Sequence, residues 1–116
     1  MAQPDARPYV IERREVVAET DTLRVAILTL APGQEVPWHY HSRITDTFYC
    51  LEGVLSVQTR APDARHLLTV GESCDVPQMT AHRVTGYDGG RARFLIVQGI
   101  GAYDFCPTTR EGKASP

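Results

Sequence analysis

The chain of 116 residues carries 42% hydrophobic and 22% charged residues and a formal net charge of -2. That length suits one compact domain rather than separate cofactor and substrate domains, and the composition excludes a fibre or a disordered tail. Its 12 basic and 14 acidic residues are scattered, so neither nucleic acid nor an anionic membrane is expected as a partner. Met1 to Pro8 carries Pro, Asp and Arg where a secretory signal has an apolar core, and no stretch reaches the length of a membrane span, so a cytoplasmic location is expected. Cys50, Cys74 and Cys106 form no C-x-x-C pair and read as free thiols, Cys50 and Cys74 as small apolar residues.

Short apolar runs separated by Pro and Gly, with no long interval of helical periodicity, predict an all-β domain. Leu23–Leu30 is the first predicted strand, ended by Ala31-Pro32-Gly33, and Val36–Ser42 the second. Asp46–Leu51 and Val54–Arg60 flank Glu52-Gly53, which has the form of a tight hairpin. His66–Val70, Ser73–Val76, Ala81–Tyr87 and Arg91–Ile100 follow, joined through Gly71-Glu72, Pro77 and Asp88-Gly89-Gly90. So many short strands imply a sandwich or barrel. Residues 1–116 are expected to form one domain with its core at about 16–106 and loosely ordered termini at about 1–8 and 108–116. Phe94 to Val97 is apolar on both parities, so both faces of that strand should be covered, the outer one by a layer that a subunit interface would supply.

The chemistry gathers on the histidines. His39 and His41, two apart in a predicted strand, share a face and are able to converge on one ion. Asp46 shares parity with Phe48 and Cys50, which aims a carboxylate among apolar groups, a costly place for it without a partner. His82 lies far along the chain, but a closed sheet brings it across. His39, His41, Asp46 and His82 thus make a candidate shell of nitrogen and oxygen for one divalent transition metal, iron or manganese first, with nickel, cobalt, copper or zinc compatible. Phe48, Cys50, Phe94, Ile96 and Gln98 are the candidate pocket lining, and His66 is left at the surface. Eleven of the twelve basic residues are Arg, the better clamp for a carboxylate. Arg24, alternating with Ala26 and Leu28, either reaches the cavity or packs its stem at the rim with its head in water. Core packing is the first reading of Tyr103 and Phe105, which stand where they would cap a barrel.

The stretch from Gly33 to Gly53 resembles the first cupin motif, G-x5-H-x-H-x4-E-x6-G, with Asp46 at the Glu position. Gly71 to Gly86 resembles the second, G-x5-P-x-G-x2-H-x3-N, with Met79 in place of Gly and Gly86 in place of Asn. The resemblance implies a double-stranded β-helix, or jelly-roll, barrel with a metal inside its mouth, a small-molecule substrate and a homodimer. Cupins include dioxygenases, decarboxylases, lyases and isomerases, and a dioxygenase is the first expectation. A non-catalytic module that binds a sugar or carboxylate ligand and a metal-free sugar isomerase or epimerase are the alternatives. Asp is one methylene shorter than Glu, so Asp46 either reaches the metal or accepts the N–H of a ligating histidine.

Overall fold

The computed structural model describes residues 9–108, so the expectation of loose termini falls outside the described residues except at Thr108. Ten strands appear: β1 (Arg13–Glu19), β2 (Leu23–Leu30), β3 (Glu35–Tyr40), β4 (Thr45–Glu52), β5 (Leu55–Thr59), β6 (Ala64–Leu68), β7 (Ser73–Val76), β8 (His82–Gly86), β9 (Ala92–Gly99) and β10 (Cys106–Pro107). They form two antiparallel five-stranded sheets, β1-β2-β9-β4-β7 and β10-β3-β8-β5-β6, facing each other as a jelly roll.

Alternation decides which residues face inward. On the first sheet Leu28 stands opposite Phe94, and Phe94 opposite Cys50; on the second Val36 and Val57 flank Val84. These side chains are buried and form the core. Further along, two rungs on the first sheet and one on the second, the same inner faces turn polar: Asp46 and Arg24 flank Gln98, and His39 and Thr59 flank His82. The barrel is apolar at one end and carries its chemistry at the other.

Three expectations are corrected. Glu52-Gly53 is no hairpin: β4 pairs with β9 and β7, while β5 pairs with β6 and β8. The turn is a corner where the chain crosses between sheets, and the same Gly with φ of +75° serves either purpose. The sequence reading had no strand at β1, an edge strand whose alternation is interrupted by a bulge between Val16 and Ala18 and whose side chains are largely charged. Thr108, assigned to a loose tail, is buried and donates its N–H to the Trp38 carbonyl at 3.1 Å.

Both departures from the second motif have local causes. Met79 adopts φ of +64°, the left-handed region that the motif's glycine occupies without strain. A Cβ on Gly86 would lie 1.7 Å from the Gly90 carbonyl oxygen, so no side chain fits where the motif has Asn. The cause is the single 3-10 turn Tyr87–Gly89, which folds the chain back beneath it. Met79 is 63% exposed and has little packing to lose. Met79→Gly should therefore raise unfolding stability by about 0.5–1 kcal/mol in urea, the relief of left-handed strain less the added chain entropy, whereas Gly86→Ala should lower it by about 3 kcal/mol. A destabilised Met79→Gly would contradict this account of the turn.

Candidate metal centre

β3 does not run straight into the site. Between Val36 and His39 it carries a bulge, three steps on β3 matching two on β8, at Pro37 and Trp38. Proline has no N–H to give a ladder, so it suits such a break. The bulge changes the parity, so that Val36 and His39 both point inward although they are an odd number of residues apart. His39 then sits directly opposite His82 on the neighbouring strand. His41 lies just past the end of β3, and Asp46 reaches in from β4 on the other sheet.

The structure brings all four predicted ligands together. His39, His41, Asp46 and His82 are buried, and one potential ligand atom from each lies within 4.8 Å of the others. Donors at about 2.1 Å from one ion stand roughly 3–4.2 Å apart, so the cluster is of the right size. The tautomers are set from behind. His39 Nδ1–H donates to the Pro37 carbonyl at 2.7 Å, His82 Nδ1–H to that of Thr80 at 2.8 Å, and His41 Nδ1–H to that of Asp104 at 2.5 Å. Each ring therefore turns its Nε2 inward, where that atom either holds a proton toward Asp46 or, once deprotonated, offers a lone pair to a metal. His39 Nε2 and His41 Nε2 are 3.2 Å apart, and Asp46 Oδ2 lies 3.0 Å from His41 Nε2 and 2.9 Å from His82 Nε2. Lone pairs and a carboxylate at such range need a cation among them, a proton or a metal, and the set of three imidazoles and one carboxylate suits a divalent metal ion.

Electrostatics agree. Burial and its two histidine neighbours hold His39 well below the usual imidazole range. Burial acts downward on His41 too, but its contacts with Asp46 outweigh it and raise the group. Burial alone would push Asp46 up, yet hydrogen bonding with His41 and His82 keeps it ionised, well below the ordinary carboxylate range. Gln98 Nε2 donates to Asp46 Oδ1 at 3.0 Å and fixes the carboxylate from the far side.

Phe48, Phe94, Ile96 and Gln98 line the small cavity in front of the cluster, about 20 Å3 in volume and open at its mouth. Cys50 does not: it lies in the core, its thiol donating to the Gly53 carbonyl at 3.3 Å. Burial raises the Cys50 thiol, and burial together with Asp75 pushes Cys74 up to about 11, so neither is a ready thiolate. His66 is exposed on β6. Arg24 does not hold its head in water; its side chain is 11% exposed and its guanidinium lies 4.4 Å over the Tyr103 ring.

The sequence reading missed the strap between β9 and β10. Phe105 stacks on the His39 ring at 4.3 Å, and Tyr103 and Phe105 both line the cavity rather than only filling core. Asp104 anchors the strap: its carboxylate accepts from the Ser42 N–H at 2.9 Å and from the Ser42 hydroxyl, while its carbonyl holds His41. Burial pushes the Asp104 carboxyl up, but these bonds keep it below its ordinary value. No local pattern marks Asp104, since its partner is 62 residues away.

A double-sheet barrel with three histidines and one aspartate buried at its open end defines a metal-binding cupin. The cupin-domain model matches residues 26–98, and the chain belongs to that family. It is 33% identical over 96 residues, 68% of its length, to quercetin 2,3-dioxygenase of Bacillus subtilis (strain 168), and spans 28% of that protein's length. Among solved structures, an uncharacterized conserved protein with a double-stranded β-helix domain from Klebsiella pneumoniae subsp. pneumoniae MGH 78578 superimposes with a TM-score of 0.70 at 22% identity, covering 93% of this chain and 90% of that one. KdgF from Halomonas sp. gives 0.66 at 21% identity, covering 84% and 85%. Both share the fold. Among the described residues no helix is long and apolar enough to cross a membrane.

Because Asp104 sets the His41 ring through the strap, Asp104→Ala should weaken divalent-metal affinity by about tenfold or more while far-UV circular dichroism is unchanged. Calorimetric titration checks this, and an unaltered affinity would remove the strap from the site.

Proposed function

We propose that this chain is a metalloenzyme of the dioxygenase type, in which His39, His41, Asp46 and His82 hold one divalent iron or manganese ion. One observation carries the reading: all three Nδ1–H groups are committed to backbone carbonyls, so three Nε2 lone pairs converge with Asp46 Oδ2. The same facts favour Asp46 as a direct ligand. Its Oδ2 faces the inward nitrogens of His41 and His82, and the outer nitrogens, where an orienting carboxylate would act, already have acceptors. Similarity to a quercetin 2,3-dioxygenase over 96 residues supports oxygen chemistry on a small organic molecule.

When bound, such a metal supplies a Lewis-acidic centre and, as reduced iron, access to dioxygen. The chain's own groups do the rest. Gln98 orients the Asp46 carboxylate, Phe105 covers His39, and Phe48, Phe94 and Ile96 make an apolar wall that restricts water near the ligands.

Elemental analysis of untagged protein purified without chelator should find near one equivalent of iron or manganese. His39→Ala and His82→Ala should lose it with the fold preserved, and Asp46→Ala should bind more weakly. A full equivalent in either histidine variant would refute the shell. Loaded protein should then consume oxygen with a small organic substrate, and ligand binding without turnover would favour a non-catalytic module instead.

A homodimer is part of the same proposal. On the outer face of the first sheet Val25 pairs with Val97 and Ile27 with Leu95, half-buried, with Tyr49 40% exposed beside Leu95. Such a continuous apolar face suits a second copy. Sedimentation equilibrium should give a dimer, and Leu95→Arg a monomer; a monomeric wild type would discard this part.

A further inference from the structure

Most arginines of the barrel wall are spent on surface carboxylates. Arg83 pairs with Glu35 at 2.6 Å, Arg93 with Glu52 at 3.2 Å, and Arg91 with Glu52 at 3.1 Å and Glu12 at 3.3 Å. Arg14 differs. It stands on β1 opposite Leu28, a core residue, so its side chain lies on the inner face, and it lines the same cavity as His39, His41 and Asp46. One terminal nitrogen donates to the Tyr9 hydroxyl at 2.9 Å and the guanidinium lies 5.7 Å over the Tyr9 ring, whereas the buried Nε–H has no acceptor, as at Arg24 and Arg60, neither of which lines this cavity. Among the described residues Arg14 makes no ion pair. A guanidinium cannot shed its charge, and a buried donor without an acceptor is costly, so the missing partner should be an anion.

Charge counting gives the same answer. Asp46 is the one carboxylate side chain lining the cavity among the described residues. A divalent ion with Asp46 and three neutral imidazoles carries one net positive charge, and Arg14 adds another. Arg24 stands nearby at the rim over Tyr103, its Nε 3.9 Å from Glu19. A walled, partly dehydrated space of that charge favours an anionic guest over a neutral or cationic one. The planar fork of Arg matches a carboxylate with two parallel hydrogen bonds.

We propose that Arg14, supported by the Tyr9 hydroxyl, is the anion-binding group of this cavity, and that the substrate is a small carboxylate-bearing molecule whose other end lies at the metal. This rests on the metal-site reading above and adds the substrate class. Tyr9 reaches the site from ahead of β1 and packs on Phe105 at 5.6 Å, which itself covers His39, so the anion group and a metal ligand belong to one aromatic stack.

The test is calorimetric titration of the full chain, metal-loaded and metal-free, with malonate, succinate and glutarate, each compared with its neutral diamide. Metal content is measured on every sample. In wild type at least one dicarboxylate should bind about tenfold or more tightly over its diamide, the size of a charge-assisted contact. Arg14→Gln should lose about that factor at unchanged metal content and unchanged circular dichroism, Arg14→Lys should recover part, and Tyr9→Phe should lose less. Two results overturn the proposal alone: metal is held but no dicarboxylate is preferred, or the preference is the same in Arg14→Gln. A wild type that takes up no metal overturns the metal reading and the bridged placement with it, and dicarboxylate binding by the metal-free protein then shows whether Arg14 binds anions by itself.

Discussion

The structure depends on a buried group of three imidazoles and one carboxylate whose donors all face each other. Such a group is stable only when every outward nitrogen is satisfied and the inward lone pairs share a cation. The fold meets the first condition with backbone. Pro37 and Thr80 carbonyls each lie two residues before the histidine they hold, so the bends leading into His39 and His82 also fix their tautomers. His41 lacks such a local partner and takes its acceptor from Asp104, at the other end of the chain.

That division explains the shape of the molecule. The apolar rungs of Leu28, Phe94, Val57 and Val84 close one end of the barrel and need nothing but burial. The open end has to satisfy polar groups, and there the chain departs from regular strand: a bulge at Pro37, a left-handed Met79 whose N–H donates to the His41 carbonyl at 2.7 Å, and the strap from Tyr103 to Cys106. Short β10 pairs back onto His39 and Tyr40, so the strap is tied to both sheets across the mouth. Function sits where the ladder is broken, supported by the strands on either side.

The spacing of His39 and His41 and the inward parity of Asp46 were readable because they follow from strand periodicity and from the two motifs. The all-β class and the centres of eight strands, β2 to β9, were readable from Pro and Gly punctuation. What escaped has physical reasons. Glu52-Gly53 offers the same turn chemistry for a hairpin or for a corner between sheets, and only the partners of β4 and β5 decide. β1 is charged because it is an edge, which hides its alternation. Arg14 meets Leu28 across 14 positions of chain, Tyr9 shares a cavity with Phe48 across 39, and Asp104 holds Ser42 across 62, and no local pattern encodes such meetings.

X-ray absorption at the metal edge of protein loaded with iron or manganese tests the central claim most directly. The account predicts one metal site with the multiple-scattering pattern of three imidazoles and additional oxygen scatterers at about 2.1 Å. A sulfur shell at about 2.3 Å, or two imidazoles or fewer, would contradict it.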